Sequence, residues 1–200
     1  MARDGKEMTP SRAWRLRVVG GIACLVLLLD QLSKLAVRAS GESLHVTVIP
    51  GVLDVTFVRN TGAAFSFGEG HGILFVVLAV AVVAAVVGYL AKSPELSRTE
   101  VAGLALVCGG AVGNAIDRLV LGYVTDFIAT TFIDFPVFNI ADIAITCGVV
   151  IAFAGYIFLS PAVQHVDATA ELNARDEAHA ARRAKKRGER AKKMRERGER

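Results

Sequence analysis

Histidine and cysteine are scarce in this chain, which has four histidines and three cysteines among 200 residues. No two histidines have the H-E-x-x-H spacing with which a zinc protease binds its metal, and none lies in the long apolar segments as a base for a serine or cysteine nucleophile. Cys24, Cys108 and Cys147 fall inside those segments, where cysteine usually behaves as a small hydrophobe. We therefore expect no disulfide framework, no metal and no cofactor.

Apolar residues, by contrast, are abundant: they make up 53% of the chain, and the mean hydropathy is +0.46. Four segments approach the roughly 20 apolar residues that a helix needs to cross a hydrocarbon core of about 30 Å. They are residues 16–37, 72–91, 101–122 and 139–159. The sequence predicts a mainly α membrane protein with four transmembrane helices.

The distribution of lysine and arginine predicts the orientation of these helices. Basic residues precede the first segment, lie between the second and third as Lys92 and Arg98, and follow the fourth. The first loop has only Arg38 and Arg59, and residues 123–138 have none. Because basic flanks are retained in the cytoplasm, we expect both termini to be cytoplasmic and residues 126–142 to face outward.

Three regions follow from this pattern: a cytoplasmic segment 1–15, a membrane domain 16–160 and a charge-rich cytoplasmic tail 161–200. The tail holds about half of the 23 lysines and arginines, interspersed with acidic residues, although the net charge of the chain is only +4. Alternating signs favour a solvated helix or disorder over a nucleic-acid partner, and loose attraction to anionic lipid headgroups is the functional alternative.

Residues 44–49 and 52–58 are rich in β-branched residues and are separated by Pro50-Gly51. This pattern predicts two short strands, a small extracytoplasmic β element between the first and second helices. Such an element could hold an extended peptide at its open edge or could simply cap the helices, and both alternatives remain open.

Polar residues within the apolar segments are few and lie toward their outer ends. Asp30 and Lys34 are four apart and can pair on one helix face, either to orient the helix or to take part in chemistry. Asn114 shares a face with Asp117 and Arg118, which could form a structural network or support a catalytic group.

Two carboxylates, Asp126 and Asp142, lie where the last two apolar segments meet water. A carboxylate at a membrane edge suggests a functional role. The alternative is that it only marks the end of a loop. Asn139 lies three residues before Asp142, on the same predicted helix face, and Asp134 is a third nearby carboxylate. An acid pair is the remaining candidate for hydrolytic chemistry.

Five ordered segments together make the chain similar to a known family. They are Asp30-Gln31-Leu32-Ser33-Lys34, Asn60-Thr61-Gly62-Ala63-Ala64-Phe65-Ser66, Gly113-Asn114-Ala115-Ile116-Asp117-Arg118, Val124-Thr125-Asp126-Phe127 and Phe138-Asn139-Ile140-Ala141-Asp142. In order and spacing they resemble the motifs of lipoprotein signal peptidase, or signal peptidase II. The resemblance covers residues 16–159 and leaves the tail outside.

The resemblance implies an aspartic endopeptidase of the bacterial cytoplasmic membrane that removes signal peptides from prolipoproteins, cutting before a diacylglyceryl-modified cysteine. The catalytic pair falls on Asp126 and Asp142, and Asp134 matches no motif position. The supporting polar positions fall on Asp30, Lys34, Asn60, Gly62, Asn114, Asp117, Arg118 and Asn139. We further expect some of the asparagines and Arg118 to contact the substrate backbone, and residues 60–66 to help cover it.

Two other classes fit the hydropathy. A small transporter or proton-conducting subunit would place its polar residues near the middle of the bilayer, whereas those of this chain crowd the outer half. A non-catalytic scaffold whose tail recruits partners would leave the aspartates unexplained. The expected partners are prolipoprotein substrates and membrane lipids, and a monomer suffices.

Overall fold

A computed structural model describes residues 9–62, 70–93, 95–161, 163, 172–173, 175–177 and 179. Four long helices and three short strands make up its main unit. In chain order they are α1 (Arg12–Ala39), β1 (His45–Ile49), β2 (Leu53–Asn60), α2 (Gly72–Lys92), α3 (Arg98–Leu121), β3 (Val124–Thr130) and α4 (Ile140–Leu159). All four helices are long and apolar enough to cross a membrane. The predicted fold class, a mainly α membrane protein with a small β element, is confirmed.

Capping residues, which hydropathy does not register, set where the helices begin. The hydroxyl of Ser11 accepts the backbone N–H of Trp14, so α1 starts at Arg12 rather than at the predicted residue 16. Ser97 and Glu100 form a reciprocal capping box, so α3 starts at Arg98 rather than at residue 101. Gly122 ends α3 with a left-handed φ of 80°.

Helix α3 lies at the centre of the bundle and packs against α1, α2 and α4. Its glycines allow this packing. A Cβ atom on Gly103 would overlap the backbone of Ala152 in α4, and one on Gly109 would lie 2.9 Å from the carbonyl oxygen of Ala23 in α1. Small residues are how helices approach closely in a membrane, where lipid is as apolar as leucine.

The sheet is antiparallel with the strand order β1-β2-β3, and it contains one strand more than predicted. β3 was missed because it is short, follows α3 almost directly and carries an aspartate in a run otherwise typical of a strand. In the register of β2 with β3, Val58 faces Asp126 and Asn60 faces Val124. Asn60 and Asp126 are therefore diagonal neighbours on one face of the sheet.

The chain direction places the ends of α1 and α3 and the beginnings of α2 and α4 beside this sheet, and we call this region the sheet end. The opposite end is held together by side chains that cross between helices. Arg15 of α1 donates to the carbonyl of Ser93 after α2, Tyr89 of α2 donates to Glu100 of α3, and Ser97 donates to the carbonyl of Gly155 in α4. Residues 161–200 form a separate unit, whose described residues are helical.

Candidate active site

The two aspartates singled out in the sequence reach the sheet end from different elements. Asp126 lies on β3 and is only 2% exposed. Asp142 lies in the first turn of α4, where it forms the second half of a capping box with Asn139. The backbone N–H of Asn139 donates to Asp142 Oδ2 at 3.1 Å, and the side-chain Nδ2 of the same residue donates to Asp126 Oδ1 at 2.7 Å. One residue therefore bonds both carboxylates.

Two further asparagines complete the donors around the pair. Asn60 Nδ2 donates to Asp126 Oδ2 at 2.8 Å, and Asn114 Nδ2 donates to Asp142 Oδ1 at 2.8 Å. All four carboxylate oxygens thus accept a hydrogen bond from an N–H group. Hydrogen bonds of this kind favour the charged form of a carboxyl group, so they offset part of the cost of burying a negative charge here.

A buried ionic cluster supports these asparagines from behind. Lys34 is fully buried, lies 2.9 Å from Asp30 Oδ2 and 3.5 Å from Asp117 Oδ2, and donates to Asn114 Oδ1 at 2.8 Å. Asp30 Oδ1 accepts the backbone N–H of Ala141 at 3.0 Å, which ties α1 to the start of α4. A buried charge is tolerated only when it is paired and hydrogen-bonded, and each of these charges is.

Arg118 joins the site to the segment that follows β2. Its guanidinium donates to the carbonyl oxygen of Gly62 at 2.7 Å and lies 4.9 Å from the ring centroid of Phe75. The backbone N–H of Gly62 in turn donates to Asn60 Oδ1 at 2.9 Å. The Nε atom of Arg118 is buried and has no hydrogen-bond partner among the described residues.

A cavity of about 510 Å³ opens over the aspartates. Most of its polar lining consists of the two carboxylates and the polar side chains around them. The remaining lining residues are mainly apolar. The lining residues include Asn60, Asn114, Arg118, Asp126 and Asp142 on the polar side and Phe135, Val137, Phe138, Ile143 and Ile145 on the apolar side. Such a cavity suits a ligand that is mostly apolar and has one polar group to be aligned.

The carboxyl group of Asp126 holds its proton to an unusually high pH. Its pKa is raised to about 6, first because burial removes water from the charged form, and also because the charge of Asp142 lies nearby. The hydrogen bonds from Asn60 and Asn139 act in the opposite direction. Within the described residues, no group of three or more histidine, cysteine, aspartate or glutamate side chains is arranged to hold a metal ion. The chemistry available here is that of two carboxyl groups.

The structure brings every candidate residue into this one network. Asp30, Lys34, Asn60, Gly62, Asn114, Asp117, Arg118, Asp126, Asn139 and Asp142 are joined by the contacts given above. Asp134 is exposed and outside these contacts. Of the predicted covering segment, residues 63–66 lie outside the described residues.

Several contributors were missed. Gln31 donates to Asp30, Asp117 and the carbonyl of Gly113, and Arg38 donates to the hydroxyl of Thr125. Arg38 lies one helical turn beyond Lys34, and this spacing was a signal that could have found it. Gln31 and Thr125 lie inside the quoted motifs, but both are uncharged and were therefore not selected as candidates.

Helices of membrane length and a buried carboxylate pair beneath an apolar cavity define a membrane protein with a two-acid site. Residues 22–158 match the model of the signal peptidase (SPase) II family. A lipoprotein signal peptidase of Lactobacillus johnsonii is 42% identical over 142 residues, which cover 70% of this chain and 91% of that protein. One of Enterococcus faecalis is 43% identical over 133 residues, covering 66% and 83% respectively.

Among solved structures, a bacterial membrane enzyme determined by the in meso method at 2.3 Å resolution is similar to this chain. The two share a TM-score of 0.66 and 32% sequence identity, over 70% of this chain and 87% of that structure. The chain belongs to the signal peptidase II family. It is a multi-pass membrane protein and a peptidase, which confirms the resemblance found in its motifs.

Proposed function

We propose that Asp126 and Asp142 are the catalytic pair with which this chain removes signal peptides from prolipoproteins. The observation that carries the proposal is that Asn139 donates two hydrogen bonds, one to each carboxylate. Its backbone N–H bonds Asp142, and its side-chain amide bonds Asp126. Two buried carboxyl groups that are bonded to the same residue and interact electrostatically do not both ionise readily, so the pair carries one negative charge and titrates as a unit. A single-charged pair is the form that an aspartic peptidase uses.

The ionised member of the pair accepts a proton from a water molecule as that water attacks the scissile carbonyl carbon. The protonated member donates a hydrogen bond to the carbonyl oxygen and stabilises the negative charge that develops there. The resulting tetrahedral intermediate collapses when the amide nitrogen receives a proton and the C–N bond breaks. The asparagine donors keep both carboxylates in position throughout, so little reorganisation is needed.

Among the side chains that we expected to contact the substrate backbone, the structure supports different roles. Asn139 is fully buried and does not line the cavity, so in this proposal it is a positioning residue. Asn60, Asn114 and Arg118 do line the cavity. Arg118 is the strongest candidate for a peptide carbonyl, because its Nε–H is buried without a partner among the described residues. An unsatisfied peptide group in lipid is costly, so a bound extended peptide needs such donors.

The apolar side of the cavity favours a substrate with a lipid modification beside the scissile bond. We propose that the substrate is the diacylglyceryl-modified cysteine of a prolipoprotein, with cleavage before that cysteine. The distribution of basic residues supports an orientation in the bacterial cytoplasmic membrane with both termini cytoplasmic and the sheet end outside. Residues 1–15, 16–160 and 161–200 then form the cytoplasmic segment, the membrane domain and the cytoplasmic tail of one monomer in contact with membrane lipids.

The test of catalysis is cleavage of a diacylated prolipoprotein by the purified chain in proteoliposomes. We expect Asp126→Asn and Asp142→Asn to lose cleavage while remaining folded by circular dichroism, and mass spectrometry of the wild-type product to place the cut before the modified cysteine. Asp134→Asn is the matched control, because Asp134 is exposed and outside the network. If both site variants cleave as fast as Asp134→Asn does, the assignment of the catalytic pair is wrong.

The orientation is tested separately by labelling one cysteine in intact cells. Asp134→Cys in a chain whose three native cysteines are replaced by serine should react with a membrane-impermeant maleimide added outside. Protection of this cysteine, together with labelling of one introduced near the N-terminus, would reverse the proposed orientation.

A further inference from the structure

The three asparagines of the site share a feature that their side-chain chemistry does not guarantee. A side-chain amide has a donor end and an acceptor end, and either could face a carboxylate. The orientation is fixed when the acceptor end meets a group that can only donate. Asn60 Oδ1 meets the backbone N–H of Gly62, and Asn139 Oδ1 meets the backbone N–H of Asp142 at 3.1 Å. The donor end of each amide must therefore face the acid pair.

Asn114 differs because, within the part of the chain that the structure describes, no backbone N–H bonds its Oδ1. Its Oδ1 accepts from Lys34 Nζ at 2.8 Å and, over a longer 3.2 Å, from Asn139 Nδ2, which also serves Asp126. An ammonium group has three donors and no acceptor, so Lys34 permits only one orientation of this amide. In that orientation Asn114 Nδ2 donates to Asp142 Oδ1.

We propose that Lys34 is a positioning residue that fixes the amide of Asn114, so that a donor faces Asp142 and Asp142 can carry the negative charge of the pair. This inference rests on the proposed function of Asp126 and Asp142. Lys34 touches neither aspartate in the contacts described; its positive charge favours the ionised pair directly, and its hydrogen bond to Asn114 adds the orienting effect. Asp30 and Asp117 hold its ammonium on the other side.

The consequence of losing this lysine follows from the two ends of the amide. If Asn114 rotates, its oxygen faces Asp142 Oδ1, and two acceptors are compatible only with a proton between them. Asp142 then holds a proton at a pH where the wild type has a base. The charged groups around this position are Asp126 on β3, Asp30 on α1, and Asp117 and Arg118 on α3, and they remain in place. We expect the acid limb of the pH–rate profile to move to higher pH.

A double-mutant cycle tests the route through Asn114. The profile of kcat against pH is measured for the wild type, Lys34→Met, Asn114→Ala and the double variant, all in proteoliposomes with a diacylated prolipoprotein. Lys34→Met should shift the acid limb upward by about one pH unit, equivalent to about 1.4 kcal/mol, with KM unchanged. In the Asn114→Ala background the shift should fall to less than about a third of that, because only loss of a distant positive charge remains.

Two further variants keep the test decisive. Lys34→Arg retains a group that can only donate and should keep a profile close to that of the wild type, even if Lys34→Met folds poorly. Tyr89→Phe removes the hydrogen bond to Glu100 at the opposite end of the bundle, so it should lower the melting temperature and leave the profile in place. Equal shifts of Lys34→Met in both backgrounds, or a shifted Tyr89→Phe profile, would overturn the inference. Retained cleavage by Asp126→Asn and Asp142→Asn would instead overturn the proposed function.

Discussion

Replacing Asn139 with serine separates two tasks that this residue performs at once. Its Oδ1 caps α4 by accepting the N–H of Asp142, and its Nδ2 donates to Asp126 Oδ1. Serine caps helices about as well as asparagine but has no amide group to extend toward Asp126. We therefore expect Asn139→Ser to be nearly as stable as the wild type and several-fold less active.

The magnitude follows from the bonds that are lost. Asp126 keeps its bond from Asn60 and loses the one from Asn139. A hydrogen bond between uncharged groups contributes about 0.5–1.5 kcal/mol, which corresponds to a roughly 2- to 13-fold lower kcat. Asn139→Ala loses the cap as well, and this should remove about a further 1 kcal/mol of stability.

The assay compares cleavage rates at saturating substrate with thermal melting followed by circular dichroism. Asn139→Ser and Asn139→Ala should have similar kcat values, and only the alanine variant should melt at a clearly lower temperature. A serine variant with wild-type kcat would refute the role of the Nδ2 donor. A serine variant that melts as early as the alanine variant would refute the role of the cap.

Three other expectations can be checked in the same preparations. The folded-state pKa of Asp126, about 6, lies above its unfolded value near 3.9, so its contribution to stability is complete below about pH 4 and is lost as the pH rises through 6. Wild-type stability should therefore fall by up to about 3 kcal/mol relative to Asp126→Asn over this range in pH-dependent melting. Gly103→Ala should destabilise the chain by about 1–3 kcal/mol or more in denaturant titrations, whereas Gly88→Ala, with open space around it, should not. Tyr89→Phe removes the donor to Glu100 and should lower the stability by about 1–3 kcal/mol, with kcat at 25 °C unchanged. A parallel drop in kcat would show that the opposite end of the bundle affects the site.

The helices could be predicted from the sequence because each needs a long apolar segment. Such a segment can be recognised without knowing which other elements pack against it. Their first residues could not, because Ser11 and Ser97 begin helices through hydrogen bonds that hydropathy does not register. Strand β3 was hidden for a related reason. A seven-residue segment gains its stability from pairing with β2, and a partner distant in sequence leaves no local signal.

The candidate site was predicted at the level of residue identity and not at the level of contacts. Polar residues inside an apolar segment are easy to identify in a sequence, so Asp30, Lys34 and Asn114 could be named as candidates. Sequence spacing could pair Asn139 with Asp142 within α4, but it gave no sign that the same asparagine also reaches Asp126. Contacts between separate elements depend on the packing of α1, α3 and α4, which no local pattern records.

The origin of the site residues along the chain has a consequence for biosynthesis. The lysine comes from α1, one asparagine from the strand before α2, and the two acids from segments on either side of residues 131–138. On the proposed catalytic pair, a nascent chain that ends before α4 lacks Asp142 and cannot cleave its membrane neighbours. Proteolytic competence then arises only after the last helix has been inserted and docked.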